Sequence, residues 1–204
     1  MIRSLPWSCV AFIMSAALTP TALAAGDPNA GKIKFATCTG CHAIPGYTNA
    51  YPTYHVPRLG GQHPDYVMAA LKDYQAGARQ HPTMHANAFP LSEQDIQDIA
   101  AYVASFKPVA QPQSIRGNTA AGQAKSATCV ACHGPDGNSL VPLYPRLAGQ
   151  YEDYLRKALT DYQNGARQNP IMKGLAAPLS TQDIADLSAW FASQPGGLIT
   201  VQPD

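Results

Sequence analysis

The chain has 204 residues, 46% of them apolar and 13% charged, which excludes a disordered protein and leaves room for two small domains or one medium one. Its 14 Lys and Arg nearly cancel 13 Asp and Glu, and each half is close to neutral. That balance argues against nucleic acid or an anionic membrane surface as a partner.

Residues 1–24 read as a secretory signal, with Arg3 as the positive end, an apolar run over residues 10–18, and Ala22-Leu23-Ala24 as the cleavage site. The run is shorter than the roughly 20 residues a spanning helix needs, so no transmembrane helix is expected in the mature chain. Cleavage removes Arg3 and the odd cysteine, Cys9. The remaining cysteines all lie in two copies of one short motif, leaving none for a disulfide, a nucleophile or a separate metal site.

The first copy opens at Asp27-Pro28-Asn29-Ala30-Gly31-Lys32, where Asp27 suits an N-cap and Pro28 the first helical position. A short helix is therefore expected to run into Cys38-Thr39-Gly40-Cys41-His42. C-x-x-C-H is the attachment signature of c-type haem. Cysteines so spaced on a helical turn can each add a sulfur to a haem vinyl group, while the adjacent His aims an imidazole nitrogen at the iron. The motif recurs as Cys129-Val130-Ala131-Cys132-His133, so two covalently bound haem c groups are expected. A thioredoxin-like pair, half a zinc site or a disulfide could explain one copy. A zinc site shared by both copies leaves both histidines surplus.

The rest of the chain is also duplicated. Pro57-Arg58-Leu59 matches Pro145-Arg146-Leu147, Asp73-Tyr74-Gln75 matches Asp161-Tyr162-Gln163, and Gly77-Ala78-Arg79-Gln80 matches Gly165-Ala166-Arg167-Gln168. Between His and Pro the first copy carries the longer loop. Helical periodicity over residues 65–76 and 152–164 is closed by Gly77 or Gly165. A last helix opens at Ser92-Glu93-Gln94-Asp95 or Ser180-Thr181-Gln182-Asp183, each resembling a capping box with Asp in place of Glu. One face of it carries Ile96, Ile99, Tyr102 and Val103, or Ile184, Leu187, Trp190 and Phe191, as core against the first helix. Gly31 and Gly122 permit the close crossing this needs, and residues 107–116 read as a linker.

An iron with one axial His either takes a second protein ligand and transfers electrons, or keeps an open site for chemistry. Met84 and Met172 occupy matching positions, in Gln80-His81-Pro82-Thr83-Met84 and Gln168-Asn169-Pro170-Ile171-Met172, each expected in a loop just after a proline. They are candidate sixth ligands, with adaptable packing as the alternative. Met68, among Val67, Ala69 and Leu71, reads as core filler. A thioether favours Fe(II) and raises the reduction potential.

Two such domains in tandem, with Pro-Arg-Leu-x-Gly-Gln and a Met ahead of a Pro-Leu-Ser helix cap, resemble the di-haem cytochrome c4 family over essentially the whole mature chain. The resemblance implies an all-α protein of two class I cytochrome c domains, residues 25–106 and 117–204, related by a pseudo-twofold axis. It implies a periplasmic electron carrier, not an enzyme. Its donor is a quinol-oxidising complex (a quinol–cytochrome c reductase) or a small copper protein, and its acceptor a terminal oxidase. On this sequence it gives Cys38, Cys41, Cys129 and Cys132 as haem attachments, with His42 and Met84, and His133 and Met172, as axial pairs. The first copy departs from the family pattern, with Ala43-Ile44-Pro45 where the second has Gly134-Pro135-Asp136-Gly137. The alternative is the di-haem subunit of a sulfur-oxidising enzyme such as flavocytochrome sulfide dehydrogenase.

The copies also differ in polarity. His55, His63, His81 and His85 stand where the second copy has Leu143, Tyr151, Asn169 and Lys173. They are either solvent-facing or close enough to the first haem to couple its potential to pH. Tyr47, Tyr51 and Tyr54 mark the longer loop as a docking surface or as packing over the haem.

Overall fold

The computed structural model describes residues 26–111 and 113–203, so the expected signal and its cleavage site lie outside the described residues. The first half begins with α1 (Pro28–Lys34), whose Asp27 cap accepts a hydrogen bond from the Asn29 N–H at 2.8 Å. A 3-10 turn, Phe35–Cys38, leads into α2 (Thr39–His42), and α3 (Pro64–Gln75), α4 (Pro82–Ala88) and α5 (Glu93–Ala104) complete this half. The second half repeats the order as α6 (Thr119–Lys125), α7 (Ala127–His133), α8 (Glu152–Asn164), α9 (Pro170–Ala176) and α10 (Thr181–Ser193).

Both capping boxes form: Ser92 and Asp95, like Ser180 and Asp183, each accept from the other's backbone N–H. They start the two long terminal helices that cross α1 and α6. The crossings are too close for any side chain at their centres. A Cβ on Gly31 would lie 1.9 Å from the Asp98 carbonyl oxygen, and one on Gly122 2.0 Å from that of Asp186. Charge pins the same crossings, because Lys125 pairs with Asp183 at 2.8 Å and Asp186 at 2.7 Å, and Lys34 pairs with Asp95 and Asp98. At the other end of the fold, α8 stops at Gly165, whose φ of 83° is the left-handed conformation a side chain disfavours.

Ile96, Ile99, Tyr102 and Val103 are buried, as are Ile184, Leu187 and Phe191, while Trp190 is only partly covered. Met68 packs on the core of the first half as expected. The methionine segments differ from the sequence expectation: Met84 and Met172 stand on α4 and α9, not in loops. Seven residues are too few for periodicity to show, but a proline in the first turn and a capping residue before it are enough to start a helix.

The halves face each other about a pseudo-twofold axis visible in paired hydrogen bonds. Gln80 donates its N–H to the Ala166 carbonyl and Gln168 to that of Ala78, both at 2.8 Å. The chain end crosses the axis. Ile199 forms an antiparallel bridge with Gly60, and Val201 is fully buried in the core of the first half with Phe35 and Val103. The segment after α5 is also docked, since the Gln113 side-chain amide donates to the carbonyls of Gly149, Gln150 and Ala192.

Candidate functional site

Each C-x-x-C-H motif is helical, which turns its histidine inward. His42 and His133 are both 7% exposed, and their Nδ1 atoms lie 3.0 Å from the Pro57 carbonyl and 2.9 Å from the Pro145 carbonyl. A carbonyl only accepts, so Nδ1 carries the proton and Nε2 is left with its lone pair. Burial lowers the pKa of His42 to about 4 against the opposing effect of the Pro57 bond, and burial lowers that of His133 too. Both imidazoles are therefore neutral at physiological pH, the form that ligates a metal.

The matching Pro-Arg-Leu segments have a use here, since proline supplies the carbonyl that orients each histidine. Cys38, Cys41, Cys129 and Cys132 are free and half-buried. Burial raises the pKa of Cys38 and of Cys129, so both remain thiols at neutral pH.

The two methionines line the same cavity as the histidines, from α4 and α9. Met84 and Met172 donate their N–H groups to the His81 Nδ1 at 3.2 Å and the Asn169 side-chain oxygen at 3.0 Å, which cap α4 and α9. The far ends of these helices are tied down by glutamines from the preceding long helices. Gln75 donates to the carbonyls of Ala88 and Leu91, and Gln163 to those of Ala176 and Leu179. The sequence marked both glutamines as repeat partners without giving them a role.

All the expected cofactor residues, four cysteines, two histidines and two methionines, line one continuous cavity of 410 Å³ shared by the halves. Its walls are mostly apolar, with Phe35, Ile99, Val103, Leu155, Leu187 and Phe191 among them. The donor set fits haem c: thiols for the vinyl groups, a neutral imidazole and a thioether for the iron, and apolar walls for the porphyrin.

Of the other histidines, His55 and His63 lie between the halves. His55 meets Asp153 at 2.7 Å and stacks on Tyr151, and the His63 Nε2 lies 2.7 Å from the Ser139 carbonyl. His81 caps the Met84 helix and lines the cavity, while His85 turns to the Tyr74 carbonyl at 2.8 Å. The tyrosine loop divides. Tyr54 is buried near Tyr154 of the second half, whereas Tyr51 is 96% exposed.

The cytochrome c family model matches the chain twice, over residues 29–107 and 117–195. Cytochrome c4 of Azotobacter vinelandii is 37% identical over 203 residues, covering 89% of this chain and 95% of that protein. The chain belongs to the cytochrome c4 family. The crystal structure of reduced recombinant cytochrome c4 from Pseudomonas stutzeri aligns with a TM-score of 0.68 at 32% identity, over 83% of this chain and 100% of that one. A more distant relative, a thiosulfate dehydrogenase electron acceptor of Stutzerimonas stutzeri strain A1501, is 29% identical over 82% of each chain. Like other cytochromes c4, the protein is a di-haem electron-transfer protein, with one covalently held haem c at each C-x-x-C-H motif. Among the described residues no helix is long and apolar enough to cross a membrane.

Proposed function

We propose that this cytochrome c4 is a periplasmic shuttle that takes electrons from a respiratory donor, a quinol-oxidising complex or a small copper protein, and delivers them to a terminal oxidase. Residues 1–24 act as the signal, residues 25–106 and 117–204 as the two domains, and residues 107–116 as the linker. Cys38 and Cys41, and Cys129 and Cys132, hold the haems. His42 with Met84 would hold the iron of the first haem, and His133 with Met172 that of the second.

The observation that carries this reading is the pairing, in each half, of a buried neutral imidazole with a methionine on one cavity wall. With both positions filled the bound haem supplies electron transfer alone. The chain's own residues hold the ligands in place and exclude water. Little rearranges when the charge changes, because proline carbonyls and helix caps fix the ligands. Mixing the reduced protein with a purified terminal oxidase tests the role directly: rapid oxidation of both haems is expected, and oxidation no faster than autoxidation refutes it.

A second reading is supported by the relatives named as thiosulfate dehydrogenase electron acceptors. In it the same molecule serves as acceptor, or as a di-haem subunit, for a sulfur-oxidising enzyme, including flavocytochrome sulfide dehydrogenase. Reduction by such an enzyme in place of the quinol-oxidising complex distinguishes the two.

A further inference from the structure

The last segment of the chain leaves its own half. Beyond α10 the Leu198 N–H still donates to the Ala148 carbonyl of the second half at 2.8 Å, but Ile199 exchanges two backbone bonds with Gly60 of the first, at 2.9 and 3.0 Å. The approach is close: a Cβ on Gly60 would lie 2.7 Å from the Ile199 side chain. Thr200 is buried and its N–H donates to the Gln111 side chain at 3.0 Å. Val201 then enters the core of Phe35, Val67 and Val103 and is fully buried there. These three residues line the cavity, as do Cys38 and Leu59, which pack on the same core. Leu91, in the segment that follows the Met84 helix, packs there too.

The second half fills the matching place from its own chain. Val67 and Val103 have Leu155 and Phe191 as repeat counterparts, and Ile115, just ahead of α6, packs against the core those two form. Ile115 stands as far ahead of Cys129 as Ala24 does ahead of Cys38. Ala24 is the last residue of the proposed signal, so cleavage after it takes away the residue that would do the same work in the first half. A close-packed interior leaves no such place empty, because the atoms around a void lose their contacts. Val201 supplies the missing side chain from the far end of the sequence.

We propose that the chain end is a strap whose Val201 is a positioning residue of the first haem site: seated, it holds the wall made by Phe35 and Val103 and the segment behind the Met84 helix, and its release opens that site, and not the second, to water and small ligands. The strap rests on the carrier reading above, in which His42 and Met84 would hold the first iron. Water admitted behind that wall makes the surroundings of the haem more polar and favours Fe(III), so release lowers the first potential.

The test is carbon monoxide addition and redox titration of the holoprotein and of Val201→Asp, Val201→Ile and Ile115→Asp, with each haem followed by its own methyl proton resonances. Val201→Asp should open the first haem to the gas, lower its midpoint potential and halve the charge-transfer band of methionine-bound Fe(III), with the second haem unmoved. Ile115→Asp should do the same at the second haem alone. Val201→Ile, which installs the side chain used by the second half, should keep both sites closed. No change in Val201→Asp, or an equal change at both haems, overturns the strap. A measurement on the unsubstituted protein covers variants that fail to fold. As denaturant is raised below the unfolding transition, the Ile199 N–H should lose its protection from hydrogen exchange at the concentration where the first haem starts to bind carbon monoxide, and before the second haem does. Gas binding at the first haem while that N–H stays protected overturns the strap. Without denaturant, carbon monoxide binding by the unsubstituted protein refutes the carrier reading, whereas the strap is judged separately, on whether Val201→Asp moves the first potential alone.

Discussion

Gln62 and Gln150 are exchanged between the halves, each amide closing a two-bond ring with the backbone of the arginine in the opposite copy. Gln150 accepts from the Arg58 N–H and donates to the Arg58 carbonyl, both at 2.9 Å, and Gln62 does the same at Arg146, at 2.9 and 3.1 Å. Each arginine follows the proline whose carbonyl orients a histidine. The surface that joins the halves is thus one peptide away from the groups that set the imidazoles.

Gln150→Leu removes partners from a buried N–H and a buried carbonyl, a loss of about 1–3 kcal/mol for each unsatisfied group. Calorimetry should show a lower melting temperature, with Gln62→Leu similar and the exposed Gln123→Leu close to unchanged. Equal effects at all three positions would mean that the exchange does not hold the halves together.

Gly122→Ala should destabilise the second half by at least about 2 kcal/mol, because the new methyl meets the α10 backbone and overpacking costs about 1–3 kcal/mol even where it can relax. Gly174→Ala is the control. It sits exposed in α9 with nothing within 4 Å of a new Cβ, so helix propensity should raise stability by about 0.5–1 kcal/mol. Denaturant titration of both variants checks the contrast.

His81→Asn should leave the first half as stable as before, since Asn169 caps the matching helix with the same bond to the methionine N–H. His81→Ala should cost about 1 kcal/mol. Thermal melts of the two variants decide whether His81 acts as a cap.

Acid should weaken the helix crossings. The Asp27 N–H, then Gln94 and Lys34, hold the Asp98 pKa below the usual carboxylate value, and Lys125 with Gln182 does so for Asp186. The unfolded chain titrates near about pH 3.9 and so binds more protons than the native state at that pH. This stabilisation is complete above about pH 5 and is lost as pH falls through 3.9 toward the lower native values. The melting-temperature gap between the protein and Asp186→Asn should be widest near neutrality and close below about pH 4. A gap independent of pH contradicts it.

The duplication, the C-x-x-C-H motifs and the capped terminal helices could be read from the chain because local chemistry specifies them. Gly31 and Gly122 announced the close crossings for the same reason. The rest depended on contacts between distant residues. His81 is an uncommon cap, and only the parallel with Asn169 reveals it. Nothing local distinguishes Tyr54, buried against the other half, from exposed Tyr51. The pairing of Arg79 with Arg167 follows from how the halves dock, which neither copy contains alone.

The most direct measurement is the absorption spectrum of the native oxidised protein, followed by carbon monoxide addition to the reduced form. With His42 and Met84, and His133 and Met172, closing both irons, the methionine charge-transfer band should have the intensity of two haems and carbon monoxide should leave the spectrum unchanged. Met172→Ala should halve the band and open one haem to the gas. Carbon monoxide binding by the undamaged, unsubstituted protein would contradict the assignment of closed irons.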